Sequence, residues 1–131
     1  MSGQDGINGL WSGEYRYAWL EQAVRFSATL AESGGRVTGT TLEPATFGPR
    51  GHAEYTGNFS GWLDGSILVL SKTYNEVTQP PVIYTGEVNA GFTLIRGEWA
   101  FPHHPEIHGT FTMSRVGTAG AGARTRASVS A

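Results

Sequence analysis

Six stretches of the chain repeat one alternation of polar and apolar positions: LWSGEY, RVTGTT, EYTGNF, IYTGEV, IRGEW and IHGTF. Their glycines are Gly13, Gly39, Gly57, Gly86, Gly97 and Gly109. Two residues before the glycine stand Trp11, Val37, Tyr55, Tyr84, Ile95 and Ile107, and two residues after it stand Tyr15, Thr41, Phe59, Val88, Trp99 and Phe111. Thr41 alone among these is neither apolar nor aromatic, and every residue adjacent to a glycine is polar. A period of two is the spacing of a β-strand with one wet and one dry face, and it puts each glycine on the dry face. A glycine there marks a bulge, a bend or a close approach of backbones. A small sheet needs such points where it coils to close on itself, and small residues also fit the taper inside a barrel.

Two more segments alternate without the glycine. AVRFSATL sets Val24, Phe26, Ala28 and Leu30 against Arg25, Ser27 and Thr29, and SILVLSKTY is apolar on both faces before turning polar. Eight strands are therefore predicted, at about 10–18, 23–31, 36–43, 53–61, 66–75, 81–89, 92–101 and 107–115. Turn residues fill the connections SGG, EPATFGPRG, LDG, NEVTQPP, NAG and PHHPE, while YAWLEQA (17–23) has room for one helical turn. Connections this short leave no space for crossover helices, so consecutive antiparallel pairing in a meander is expected. Eight such strands either split into a sandwich or close into a barrel, and closure removes the edges that invite aggregation. The expected fold is all-β: an eight-stranded antiparallel up-and-down β-barrel spanning residues 9–115, after a flexible stretch 1–8. The remainder, 116–131, is small, polar and glycine-rich, which predicts a disordered tail.

Length and charge narrow the function classes. A chain of 131 residues is one domain by default. Its net charge of -2 and its 15% of charged residues argue against nucleic acid or an anionic membrane surface as partner. There is no cysteine, hence neither disulfide framework nor thiolate chemistry. The opening MSGQDGING has no charged-then-apolar leader pattern, and the longest apolar runs fall far short of the ~20 residues of a membrane helix. A soluble, cytoplasmic protein without a cofactor is expected.

The start of the first strand, GLW, together with eight meandering strands and an arginine ending the last one (FTMSR, Arg115), resembles the calycin superfamily of lipocalins, fatty-acid-binding proteins and avidins. The avidins are nearest in length and in short, glycine-rich loops. The resemblance covers about residues 9–115 and implies that Trp11 and Arg115 form a structural plug at the closed end of the barrel. The biotin-contacting residues of the avidins do not map onto these strands, and no biotin site is implied. A cation–π contact across such a plug is worth about 0.5–2 kcal/mol.

Inward polar residues carry the candidate chemistry, because a buried polar group must be paired. The parity of Val37, Gly39 and Thr41 makes Glu43 inward, and Lys72 shares a face with Leu68, Leu70 and Tyr74. If that face is inward, Glu43 and Lys72 meet inside a ligand-binding cavity walled by Tyr15, Tyr17, Phe26, Tyr55, Tyr84 and Trp99; with the other parity Lys72 lies outside. Aromatic walls with a few polar groups suit a small, partly apolar or aromatic molecule. The alternatives are a barrel enzyme of cyclase or isomerase type with Lys72 and Glu43 as candidate catalytic groups, and a packed barrel that acts through its surface. FPHHPEIH brings His103, His104, Glu106 and His108 together, but two prolines stiffen the stretch and a solvated loop is expected rather than a metal site. Outside, Ile67, Val69, Ile83 and Leu94 fall on the wet face of three consecutive strands, which predicts an interface and a homodimer or higher assembly.

Overall fold

The computed structural model describes residues 6–48 and 51–117. The alternating segments form eight antiparallel strands: β1 (Gly9–Tyr17), β2 (Ala23–Ser33), β3 (Arg36–Pro44), β4 (Glu54–Asp64), β5 (Ile67–Tyr74), β6 (Val82–Val88), β7 (Leu94–Phe101) and β8 (His104–Gly117). Each pairs with the next in chain order, and β8 pairs with β1, so the sheet closes into a barrel. The period-two pattern is met on every strand: Trp11 and Tyr15, Val24 and Phe26, Tyr55 and Phe59, Tyr84 and Val88 are all buried inside.

Two connections and the chain start differ from expectation. The 18–22 stretch is a bare turn, in which the Leu20 N–H donates to the Tyr17 carbonyl at 3.2 Å, with no helix. The PHHPE loop shrinks to a turn at Pro102 and His103, and His104 already belongs to β8. Phe101 pairs with His104 and Ala100 with His108, so residues 105–107 bulge from the ladder, where Pro105 needs no partner for a missing N–H. At the other end, Ile7 is fully buried in the core, so residues 6–8 of the stretch expected to be flexible are packed. Residues 1–5 lie outside the described residues, as do residues 118–131 of the expected tail, while Val116 and Gly117 continue β8.

One end of the barrel is sealed. The Trp11 indole donates to the Ile7 carbonyl at 2.9 Å, and the Arg115 guanidinium lies 4.8 Å from the Trp11 ring centre. Arg115 also donates to the carbonyls of Phe92 and Asn8, each at 2.7 Å, and to that of Gly6. Phe92 has a left-handed backbone (φ 56°), an unusual conformation for a bulky residue. It is held by the turn around Asn89, whose carbonyl receives the Phe92 N–H and whose side chain receives those of Thr93 and Leu94. This turn delays β7 to Leu94 and aims the Phe92 carbonyl at the guanidinium.

The strand glycines are points of contact. A Cβ on Gly109 would sit 1.7 Å from the Arg16 carbonyl oxygen and 2.8 Å from the Trp99 indole nitrogen. Gly109 pairs with Trp99 on one side and Tyr17 on the other, and through this gap Trp99 donates to the Arg16 carbonyl at 3.1 Å. Gly109→Ala is therefore expected to cost about 3 kcal/mol, the upper end for added bulk, since the clash is with backbone and cannot be relieved by a rotamer change. Urea unfolding measures it, and a variant as stable as the parent contradicts the close approach.

Candidate functional site

The inside of the barrel changes character along its axis. At the sealed end it is filled by Trp11, Leu30, Val37, Leu68, Ile95 and Met113, all apolar. Towards the opposite end β3 and β5 contribute Glu43 and Lys72, both fully enclosed, with Lys72 Nζ 2.5 Å from Glu43 Oε1. The strand between them explains why they can meet. Glu43 pairs with Tyr55 and Lys72 with Phe59 on β4, and between Tyr55 and Phe59 stands Gly57. A Cβ there would lie 2.5 Å from the Thr41 hydroxyl and 3.7 Å from Lys72 Cε, so the lysine stem crosses β4 over the glycine.

Two tyrosines complete the carboxylate's shell. Tyr15 donates to Oε2 at 2.7 Å and Tyr74 to Oε1 at 2.9 Å. Lys72 in turn lies against aromatic faces: Tyr74 at 4.8 Å, Phe26 at 4.9 Å, Tyr15 at 5.2 Å and Tyr84 at 5.6 Å from its Nζ. Ring faces are negative and stabilise a cation that has lost its water. Burial pushes the lysine pKa below its usual range, opposed by the charge and hydrogen bond of Glu43. Burial also raises the pKa of Tyr15, Tyr17, Tyr74 and Tyr84, and the negative charge of Glu43 adds to the rise in each. All four stay protonated donors across the physiological range.

Above this cluster lies a cavity of about 190 Å³ at the unsealed end. Tyr15, Tyr17, Tyr74, Tyr84 and Trp99 form its inner wall, and Phe47, Gln79 and Phe101 its rim. The wall rings pack edge to face, as in Tyr17–Trp99 (5.2 Å, 89°) and Tyr15–Trp99 (6.0 Å, 78°), which fixes their positions. Larger depressions lie outside the wall, one of about 460 Å³ beside Arg16, Glu21, Glu98 and His108. A second, of about 410 Å³, runs past Arg25, Glu43 and Glu54; both have charged residues in their lining, so the aromatic cavity is the better candidate.

Of the eight residues expected to contact a ligand, Tyr15, Tyr17, Tyr84 and Trp99 line the cavity. Glu43, Lys72 and Phe26 are not among its lining residues; they lie on the far side of the tyrosine rings. Tyr55 serves the framework instead. Its hydroxyl donates to the Phe47 carbonyl and its ring packs on Phe47 (5.0 Å), which positions the 45–48 segment. Tyr74, Val82, Phe101 and Ile107 also line the cavity and share the inward parity of Lys72, Tyr84, Trp99 and Phe111, so the alternation pointed to them. Phe47 and Gln79 sit on loops, where no periodicity signals direction.

The histidines form no cluster facing the cavity. His103 and His104 are exposed, His104 lies 3.4 Å from the exposed Glu106, and His108 points outward opposite Ala100. The four outward aliphatics do not make one patch. Ile67 is 44% exposed and the others are partly covered, and the Glu87–Arg96 pair separates Ile67 from Leu94. Trp62 on β4, 57% exposed, pairs with Val69, while Trp19 and Leu20 in the turn after β1 and Val116 at the end of β8 expose further apolar surface elsewhere.

Lys72→Met should destabilise the barrel by about 3–5 kcal/mol, because it strands Glu43 without its counter-charge. Adding Glu43→Gln should recover most of that loss; a double variant no better than the single one, by urea unfolding, contradicts the pairing. The pH dependence has two arms. A lowered native pKa for Lys72 means the unfolded chain binds a proton that the native one does not, so this contribution to stability rises with pH until about 10.4. A raised native pKa for Tyr15 and Tyr84 has the opposite sign: stability is fully present below about pH 10 and falls above it, by about 3 kcal/mol per pH unit for the two. Tyr84→Phe should reduce that alkaline slope by about 1.4 kcal/mol per unit, measured by unfolding at a series of pH values. No protein-family model and no curated protein matches this chain, so its role is argued from this geometry.

Proposed function

We propose that the protein binds one small, largely apolar molecule in the cavity at the unsealed end of the barrel. The observation that carries this reading is the rigid aromatic wall around about 190 Å³ of space, in a barrel otherwise filled by side chains. A dry engineered cavity of about 150 Å³ admits benzene, so the volume suits a molecule of one ring with a small substituent. An eight-stranded barrel has an interior just wide enough for one small ligand. The resemblance of the GLW start and the terminal Arg115 to the calycins, many of which bind small molecules inside the barrel, supports the same reading.

The Glu43–Lys72 pair favours binding over catalysis. It has no surface of its own in the cavity, so neither group is placed to exchange a proton with a bound molecule. Its role in this reading is to hold Tyr15 and Tyr74 in place. The assignment rests on the site itself, since a barrel of this shape hosts many functions.

Titration with ethylbenzene, followed by NMR, tests the proposal. Saturable shifts are expected at the Trp99 indole N–H and not at that of Trp11, which lies in the sealed end. Val82→Trp, which fills the cavity from its wall, should abolish them. A response at Trp11 equal to that at Trp99, or no saturable response at Trp99 with either ethylbenzene or its ketone analogue acetophenone, overturns the reading.

A further inference from the structure

The polar groups of the cavity are unevenly employed. Tyr15 and Tyr74 already spend their hydroxyl protons on Glu43. Tyr84 lines the same cavity, is 3% exposed, and its hydroxyl makes no hydrogen bond with any described residue. Tyr17, nearer the rim, likewise has no hydrogen-bond partner for its hydroxyl among the described residues. The one fully buried side-chain oxygen without a partner among the described residues is Thr41 Oγ1, so the Tyr84 hydroxyl opens onto the cavity, and its acceptor has to come from what occupies that space, water or a ligand.

Charge narrows the occupant further. Glu43 and Lys72 together carry no net charge, whichever of the two holds the proton between them. Among the described residues no carboxylate, amine, guanidinium or imidazole lines the cavity; its polar members are tyrosine hydroxyls, an indole and the Gln79 amide. An ion placed there would lose its water without gaining a counter-charge, whereas a neutral molecule would not. The tyrosine hydroxyls also remain neutral, so they offer protons rather than negative charge.

We infer that the ligand is a neutral single-ring compound bearing a carbonyl-type oxygen, seated with its ring among Tyr15, Tyr17 and Trp99 and its oxygen accepting the hydroxyl proton of Tyr84. This rests on the cavity being a ligand site and adds the chemical class of the ligand. The ring supplies area against the edge-to-face aromatic wall. The oxygen supplies direction, because a hydrocarbon of the same shape leaves the Tyr84 donor unpaired. A site that offers a buried donor discriminates strongly against analogues lacking the acceptor. Tyr84 is accordingly the residue that sets specificity, while Trp99 and Tyr17 set shape.

Acetophenone and ethylbenzene share shape and differ in the oxygen, so their dissociation constants on the intact protein test the inference. Acetophenone should bind at least tenfold more tightly. Tyr84→Phe should bring the ratio to about twofold or less, by weakening acetophenone binding and by sparing ethylbenzene an unpaired donor. A measurement on the unaltered protein keeps the test independent of that variant's folding: the carbonyl carbon of 13C-labelled acetophenone should move downfield on binding, as it does when the oxygen accepts a hydrogen bond. Equal affinities for the two probes, or an unmoved carbonyl resonance in the complex, overturn the acceptor assignment and leave the cavity as an apolar site. Failure of both probes to bind overturns the ligand site and this inference with it. Benzoate binding more tightly than acetophenone overturns the requirement for a neutral ligand.

Discussion

A carboxylate and an amine sharing the dry interior of a small barrel constrain nearly everything around them. Moving either group out of water costs several kcal/mol, and the attraction between them offsets this only if the remaining donors and lone pairs are satisfied. The barrel meets that condition with Tyr15 and Tyr74 on Glu43 and with a cage of ring faces around Lys72. Those same tyrosines form the floor of the cavity, so the residues that neutralise the pair also shape the space above it. The pair and the cavity are two sides of one aromatic layer.

The two ends of the barrel solve opposite problems. At the sealed end, Arg115 gathers three backbone carbonyls and covers Trp11, fixing the chain entry, the β7 turn and the end of β8 to one another. That fastening leaves the other end free to hold open space, because closure of the sheet does not depend on filling it. Glycines mediate between the two. Gly57 lets the Lys72 stem pass towards Glu43, and Gly109 lets the Trp99 indole reach the Arg16 carbonyl and stand as part of the cavity wall. Each is a side chain omitted so that another can cross a strand.

The alternation of residues along the chain determined much of this directly. Side chains of period two must segregate to opposite faces, and eight such segments with short connections leave a meander as the arrangement that satisfies their backbones. Parity alone placed Glu43, Tyr15, Tyr84 and Trp99 inside, and it placed the glycines on the dry face. Parity is two-valued, however, and in β5 the apolar residues Ile67 and Val69 make both faces plausible as interior, so the position of Lys72 waited on the register. The register also split the four outward aliphatics, with Glu87 and Arg96 between them, and brought Trp62 beside Val69 instead.

Tertiary structure decided what depends on depth along the barrel and on backbone outside the strands. Alternation says whether a side chain points in, but not how far from the mouth it lies, which is why Tyr55 and Phe26 share the inward face without touching the cavity. Depth is set by strand stagger, a property of the closed sheet as a whole. Phe47 and Gln79 reach the rim from loops whose course is fixed by contacts such as the Tyr55 hydroxyl on the Phe47 carbonyl, and no local pattern encodes such a contact. The start of β8 at His104 follows the same rule: the bulge that accommodates Pro105 exists only because β7 supplies a partner on which the strand can resume. Sequence by itself determined which residues face inward, since that follows from the geometry of a single strand. Only the closed barrel decided which of them meet, since that follows from how all eight strands are staggered together.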